Sequence, residues 1–271
     1  MSIREGGHTQ LEPAYSLYVD HAGSPKVQPH GDPEQSGLVV AAVCVSELAR
    51  DGIQSLLPRG ADDEKPLKFS ARDLNPRALE TFLDRLLLTD VDLAVVHVGT
   101  AEPDTMETAE DVLCFSNRVR RERGNSPIKQ QHLLYGLAYK EAIVNAWQLA
   151  TDRLQSDLRF FGLVLDEESL PPGDRALMCS MWTEVPARHG LVCPEPRWCS
   201  EDTEFLLYVP DLVAGTILRQ ATREDVPGPW RVLDEAAARG RIHIQPGFET
   251  RIRLPSGTGQ RRAISDGPRA R

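Results

Sequence analysis

Runs of apolar residues predict a series of β-strands along the chain. Four runs carry the pattern, at residues 15–20, 37–47, 92–98 and 158–166. In the first, Tyr15, Leu17 and Val19 would share one face, which predicts a strand of about five residues that ends at Asp20. The second, GLVVAAVCVSE, is continuously apolar and rich in β-branched residues, which is typical of a strand buried on both faces.

Apolar residues at helical spacing predict the helices between these strands. The clearest helix begins after Asn75, a favoured N-cap residue, with Pro76 at its first position. Its apolar face consists of Leu79, Phe82, Leu83 and Leu86. Further helical stretches are predicted at residues 47–57, 104–122, 130–154, 173–187 and 211–220. Strands that alternate with helices predict an α/β or mixed α+β domain, in which helices flank a central mixed sheet.

The composition is that of a globular domain. The chain has 271 residues, of which 41% are hydrophobic, so it can bury one large core. No apolar run approaches the roughly 18 residues that a membrane span needs, and the N-terminus shows no leader pattern. The five cysteines include no CxxC pair and no zinc-ligand spacing. We therefore expect a soluble, cytoplasmic protein with reduced thiols and no membrane partner.

Charge is distributed unevenly along the chain. Residues 251–271 contain six arginines and one aspartate, a local charge of +5. Because the net charge of the chain is −9, residues 1–250 carry −14. This basic segment is too polar to pack and is predicted to be disordered. A second basic segment, RVRRERGNSPIK at 118–129, is either a solvated helix end or a contact for phosphate groups.

Two of the predicted strands end in an aspartate. Asp20 follows the first apolar run, and Asp166 follows FGLVL in the same way. If these strands are parallel neighbours, both carboxylates emerge at the same edge of the sheet. Close carboxylates repel unless a proton or a cation lies between them, and magnesium prefers oxygen ligands. A turn-capping role for Asp20 is the alternative.

A third candidate acid, Asp211, stands at the start of the helix DLVAGTILRQ. Pro210 suits the first position of a helix, so Asp211 would lie in the first turn, where the helix dipole favours a carboxylate. That dipole interaction could be its whole role. Ala214 and Gly215 would, however, form a small-residue face that lets the helix approach the sheet and brings Asp211 toward the strand ends.

Glu141 is a fourth candidate, on the predicted helix 130–154. It lies at helical spacing from Leu134, Leu137 and Ala138, on the stripe that would face the core. A carboxylate on that stripe needs a partner. It is either part of a functional site or a rim residue paired with a lysine or an arginine.

Four segments, in order, carry a resemblance to a known family: YSLYVDHAGSP, LKFSARDLN, FGLVLDEES and YVPDLVAGTIL. With these motifs the chain resembles the uncharacterised domain of unknown function 3800 family. The resemblance implies a ribonuclease-H-like fold, with a metal site built from a first-strand acid, a later-strand acid and a helix acid. Residue by residue, it assigns these roles to Asp20, Asp166 and Asp211, whereas Glu141 comes from helical spacing alone.

Two positions depart from the family pattern. His21 stands where the family usually has a second acid, and Pro210 replaces the usual alanine before the helix aspartate. An imidazole in place of a carboxylate reduces the charge available to a hard cation. Lys68 and Ser200 also lie near motif positions, and we interpret them as a solvated lysine and a turn serine.

The resemblance implies a specific chemistry. Two Mg²⁺ or Mn²⁺ ions would be bridged by Asp20, with Asp166 and Asp211 completing the ligands. Beyond what the resemblance implies, we expect Glu141, or Glu167 beside Asp166, to orient the water or hold an outer ion. We therefore predict a divalent-metal-dependent phosphodiesterase or nuclease, with RNA and DNA both open as substrates. The alternative is a catalytically inactive binding or scaffold protein that keeps the fold, which the acidic body and the histidine favour.

These expectations divide the chain into three parts. Residues 1–14 form an N-terminal extension, and residues 15–250 form a single ribonuclease-H-like domain with helical insertions. Residues 251–271 are the basic, disordered tail, which would contact nucleic acid as a non-specific arm.

Overall fold

A computed structural model gives the structure of the chain. It describes residues 14–23, 37–60, 65–71, 74–89, 91–99, 117–122, 126–154, 162–167, 195–221 and 227–246, and the single positions 114, 124, 175 and 179. The predicted tail at 251–271 lies outside these residues, as does the N-terminal extension except for Ala14. The predicted helix at 173–187 is described only at Arg175 and Cys179.

Six strands of the described chain form one mixed sheet. They are β1 (Tyr15–Gly23), β2 (Gly37–Ser46), β3 (Val91–Gly99), β4 (Gly162–Asp166), β5 (Arg197–Cys199) and β6 (Ile242–Pro246). Their order across the sheet is β5-β4-β1-β2-β3-β6. The strands β1, β2 and β3 pair antiparallel, whereas β4 joins β1, β5 joins β4 and β6 joins β3 in parallel.

Helices cover both faces of this sheet. They are α1 (Arg50–Leu56), α2 (Pro76–Leu86), α3 (Gln130–Leu154), α4 (Tyr208–Ala221) and α5 (Pro227–Ala238). The predicted start of α2 is confirmed, because the Asn75 side chain accepts a hydrogen bond from the Arg77 N–H. Its four predicted apolar residues are all buried. The predicted fold class, a mixed α+β domain with a central sheet flanked by helices, is confirmed.

Two apolar cores lie on opposite faces of the sheet, because successive side chains of a strand alternate. Tyr18 of β1 belongs to the core under α4, whereas Leu17 and Val19 belong to the core under α3. All ten residues of β2 are buried, which confirms the prediction of a strand covered on both sides. No helix in the described part of the chain has the length and apolar character of a membrane span.

The prediction that β1 ends at Asp20 is wrong. The strand continues to Gly23, because β2 pairs with it beyond that point, with His21 opposite Val40 and Gly23 opposite Leu38. The strand ends at Gly23, whose φ of 84° is favoured by glycine. The parallel pairing of β1 with β4 does stop just before Asp20.

Candidate active site

Asp20 and Asp166 lie on adjacent parallel strands, as the sequence predicts. The last pair in the register of β1 and β4 is Val19 with Leu165, so the next residue on each strand is one of the two aspartates. Side chains alternate along a strand, so Asp20 lies on the same face as Tyr18, and Asp166 on the same face as Val164. Tyr18 and Val164 belong to the core under α4, so both aspartates lie on the α4 side of the sheet. The end of the ladder between β1 and β4 therefore carries two carboxyl groups on one face.

Asp211 approaches the same face from α4. This helix packs on β1 and β2 and begins at Tyr208, before the predicted stretch 211–220, so Pro210 lies within its first turn. The Asp211 Oδ2 atom accepts a hydrogen bond of 2.7 Å from the backbone N–H of Phe69. The loop 65–71, which lies between α1 and α2 in the sequence, thus fixes the orientation of this carboxylate.

Gly215 has a different role from the predicted one. The space beside it is filled by the ring of Phe69 rather than by the sheet, because a Cβ there would lie 2.7 Å from the Phe69 Cδ2 atom and closer still to Cγ and Cδ1. The guanidinium of Arg219, one turn later on α4, lies 4.4 Å from the centre of the same ring. The glycine therefore admits the loop that holds Asp211.

Glu201 is a fourth acid at this place, and it was missed by the sequence analysis. It lies in the turn after β5, the strand that pairs in parallel with β4, and only 7% of its side chain is exposed. A signal was present, since Glu201 follows its strand by two residues much as Asp166 ends β4. The three-residue strand RWC was too short to be recognised from its pattern.

The four carboxyl groups act on one another electrostatically. Burial raises the pKa of Asp20 well above its usual value, and the charges of Asp166, Asp211 and Glu201 raise it further, whereas the His21 N–H lowers it. Burial also raises the pKa of Asp211, which Asp166 raises as well and the Phe69 N–H opposes. We call Asp20, Asp166, Asp211 and Glu201 the acidic cluster.

Lys68 is paired with the acidic cluster, and the interpretation of it as a merely solvated lysine is wrong. Its Nζ atom forms an ion pair with the Glu201 Oε2 atom, although 50% of the lysine side chain is exposed. Burial raises the pKa of Glu201, and Lys68 opposes that increase. The lysine also lowers the pKa of Asp211, so it partly balances the negative charge of the cluster.

Glu141 lies on the other side of the sheet. Its helix, α3, packs against the core that contains Leu17 and Val19, whereas Asp211 comes from the helix on the opposite face. Burial raises the pKa of Glu141, and the charge of its neighbour Lys140 lowers it. The structure brings the three predicted aspartates together and places this glutamate on the helix that covers the opposite face.

His21 also points to the α3 side. Its Nδ1 atom lies 2.9 Å from the Tyr139 hydroxyl, and its ring packs edge-on against Tyr135. Burial lowers the pKa of His21 to about 4, so the imidazole is neutral at neutral pH. At the position where the resemblance expects a second acid, the chain thus has a neutral ring that is hydrogen-bonded to a tyrosine.

The donor atoms of the acidic cluster suit a hard cation. All are carboxylate oxygens, which Mg²⁺ and Mn²⁺ prefer, and their mutual repulsion would be relieved by a positive ion. Among the described residues, no group of three or more His, Cys, Asp or Glu side chains is arranged so that it could hold a metal ion as it stands. The chemistry fits such an ion, and binding would require these side chains to turn toward it.

Comparisons with known proteins give matches among solved structures alone. No protein-family model and no curated protein matches the chain. Among solved structures, a mutant protein of Bst-RNase HIII aligns with a TM-score of 0.43 and 16% identity, over 78% of this chain and 54% of that one. Bst-RNase HIII in complex with Mn²⁺ aligns with a TM-score of 0.39 and 14% identity, over 85% and 57%.

The chain therefore spans little more than half the length of these two proteins. Likeness at these TM-scores carries no conclusion about activity, and the resemblance to the domain of unknown function 3800 family stays a prediction from sequence. What the chain does is argued below from its own residues.

Proposed function

We propose that this protein is a divalent-metal-dependent phosphodiesterase of ribonuclease-H-like type that acts on nucleic acid. The acidic cluster is the observation that supports it. Asp20 and Asp166 stand side by side at the end of a parallel strand pair, and Asp211 and Glu201 act on them from α4 and the turn after β5. Acidic side chains that lie close together with raised pKa values are typical of functional sites.

In this proposal, Asp20, Asp166 and Asp211 hold Mg²⁺ or Mn²⁺, and Glu201 is a fourth ligand or orients a water. Bound divalent ions would activate a water and stabilise the leaving oxygen of a phosphodiester. Asp20 has the central place because the charges of the other three acids all act on it. Glu141 has no part in the proposal, because its helix covers the opposite face.

Backbone groups hold the ligands in place before any ion binds. The His21 N–H donates to Asp20 Oδ1 at 2.7 Å, and the Phe69 N–H donates to Asp211 Oδ2 at the same distance. Such hydrogen bonds favour the ionised form of each carboxyl, the form that binds a cation. The two carboxyl groups are thus oriented by the backbone.

A cleavage assay tests the proposal. Labelled single-stranded RNA, single-stranded DNA and an RNA–DNA hybrid are incubated with the full chain in EDTA, Mg²⁺ or Mn²⁺. We expect cleavage of at least one substrate that depends on the metal and is lost in Asp166→Asn. Asp202→Asn is the matched control, since it removes the same charge from an exposed side chain beside Glu201 and should retain activity.

Glu141→Gln should also retain activity, and its inactivation would restore the role predicted from helical spacing. Metal binding without cleavage of any of the three substrates would contradict the proposal. It would support the second candidate, a binding or scaffold protein that keeps the fold. The neutral His21 favours that candidate, because it removes one charge from the metal site that the resemblance implies.

Nucleic acid is the proposed partner, and one described basic segment bears on it. Arg118 and Arg121 are exposed on the helical turn 117–122, whereas the Arg120 Nε atom donates to the Ser126 carbonyl at 2.6 Å. Part of the segment thus has a local structural role. Its contact with phosphate groups stays a prediction, as does that of the tail.

A further inference from the structure

The loop that carries Lys68 is anchored on both sides of the lysine, whose side chain is half exposed. The Phe69 ring packs between Gly215 and the Arg219 guanidinium, and the Leu67 N–H donates to the Pro58 carbonyl at 2.8 Å. The backbone on both sides of Lys68 is therefore anchored. Its four-carbon side chain is half exposed, so the ammonium can move between the buried Glu201 and solvent without moving the loop.

A divalent ion and the Lys68 ammonium would compete for the same carboxylate. Lys68 contacts the Glu201 Oε2 atom, and its charge also acts on Asp211, a proposed metal ligand. A cation of charge +2 bound to the acidic cluster would repel an ammonium held at that place. Because half of the Lys68 side chain is exposed, the displaced ammonium could turn toward the surface, where a polyanion would approach.

We propose that Lys68 is an exchangeable counterion and a phosphate-positioning residue of this site. Without metal, it neutralises Glu201 and stabilises the acidic cluster. When a divalent ion binds, the ammonium leaves Glu201 and contacts a phosphate of the nucleic acid. This inference rests on the proposed function, which supplies the metal and the phosphodiester, and it adds a residue outside the acidic ligands.

The exchange predicts opposite effects for one substitution. Lys68→Met removes a competing positive charge, so Mn²⁺ should bind about tenfold more tightly than to the wild type. The same change removes a phosphate contact, so nucleic acid should bind about tenfold more weakly. A residue that only supported the loop would weaken both when replaced.

Lys65→Met is the matched control. Lys65 lies in the same loop and pairs with an acid of the same turn, Asp202, at 3.0 Å, but both side chains are mostly exposed, at 61% and 64%. Removing its charge should leave Mn²⁺ affinity within about twofold of the wild type, because an exposed charge is screened by solvent. Lys68→Arg keeps the positive charge at this position, so its affinity for Mn²⁺ should equal that of the wild type.

Two titrations of the full chain test the inference. Calorimetry with Mn²⁺ alone measures metal affinity, and fluorescence anisotropy of labelled single-stranded RNA and DNA in Ca²⁺ measures nucleic-acid binding. Tighter Mn²⁺ binding and weaker oligonucleotide binding in Lys68→Met, with neither change in Lys65→Met, is the expected result. Circular dichroism of each variant checks that it is folded.

Unchanged or weaker Mn²⁺ binding in a folded Lys68→Met protein would overturn the exchange even if the wild type cleaves nucleic acid. Conversely, a wild type that binds Mn²⁺ but cleaves nothing would overturn the proposed activity, while the metal titrations still decide whether Lys68 competes for the site. A wild type that binds no Mn²⁺ would overturn both.

Discussion

Gly215→Ala is expected to have opposite effects on stability in two backgrounds. The added Cβ would lie 2.7 Å from the Phe69 Cδ2 atom and closer to two other ring atoms, whereas carbon atoms pack at about 3.5–4.0 Å. The ring must therefore move by roughly 1.5 Å, because its nearest atom must withdraw to about 3.5 Å. Overpacking of this kind costs about 1–3 kcal/mol, and alanine in a helix returns about 1 kcal/mol relative to glycine.

The free energy of unfolding should thus fall by up to about 2 kcal/mol when Phe69 is present. In a Phe69→Ala background the obstruction is gone, and Gly215→Ala should stabilise the protein by about 1 kcal/mol. Phe69→Ala alone should cost about 3 kcal/mol, which leaves a typical domain folded. The coupling energy between the two positions is then about 1–3 kcal/mol.

Urea unfolding of the four proteins measures this cycle. A coupling below about 0.5 kcal/mol would refute the packing of Phe69 on Gly215, since that is the scatter for independent sites. A second readout follows from the hydrogen bond between the Phe69 N–H and Asp211. If the ring moves, the amide moves with it, so Gly215→Ala should also weaken binding of Mg²⁺ by the folded protein.

Three further predictions concern other parts of the chain. Burial lowers the pKa of His21 to about 4, so the contribution of the neutral imidazole to stability is lost as pH falls from about 6.5 toward 4. Relative to His21→Phe, the free energy of unfolding of the wild type should fall by up to about 3 kcal/mol over that range. Urea unfolding of both proteins at pH 7 and pH 4.5 measures this difference. Arg50→Met removes the guanidinium nitrogen that donates to both oxygens of the buried Glu204 carboxylate and should lower the free energy of unfolding by about 2 kcal/mol, whereas a loss below about 0.5 kcal/mol, on the order of a surface pair, would contradict this account. Deletion of residues 261–271 should weaken oligonucleotide binding mainly at low salt, and an unchanged affinity at about 50 mM salt would show that the tail makes no contact.

Local pattern predicted the features that local chemistry determines. Asn75 could be recognised as a helix cap because its side chain bonds a backbone N–H only two residues away. Asp20 and Asp166 could be placed on one sheet edge because each follows an apolar strand at a fixed spacing. The parallel pairing of the two strands that carry them is confirmed, although the sequence alone allowed the aspartates to lie on separate edges.

Features set by distant contacts were missed. The length of β1 depends on β2, which continues the antiparallel ladder to Gly23, and nothing within HAGSP shows that partner. Glu201 enters the site because β5 pairs with β4, a contact between segments far apart in the chain. The helical stripe around Glu141 showed that one face of α3 is buried, but not which side of the sheet that face covers.

The role of Gly215 could not be found from its helix alone. Small residues on a helix indicate a close approach, but the approaching group here is Phe69, from a loop about 150 residues earlier. The same loop brings Lys68 to Glu201, so two residues of the motif LKFSARDLN, Lys68 and Phe69, contact the acidic cluster.

Melting temperatures of the wild type and Asp20→Asn, with and without Mg²⁺, test the central claim that the acidic cluster binds a divalent cation. Burial and the neighbouring acids raise the pKa of Asp20, so an aspartate here lowers the stability of the fold at neutral pH, and this loss fades as pH falls toward 3.8. Asparagine keeps the shape of the side chain and removes its charge.

In metal-free buffer at pH 7, the variant should therefore melt a few degrees above the wild type. Mg²⁺ at about 100 times its Kd should stabilise the wild type by about 2.7 kcal/mol, or roughly 5–10 °C, and should leave Asp20→Asn unchanged. A wild type that is indifferent to Mg²⁺ and Mn²⁺, and no less stable than Asp20→Asn without them, would show that these acids do not form a cation site.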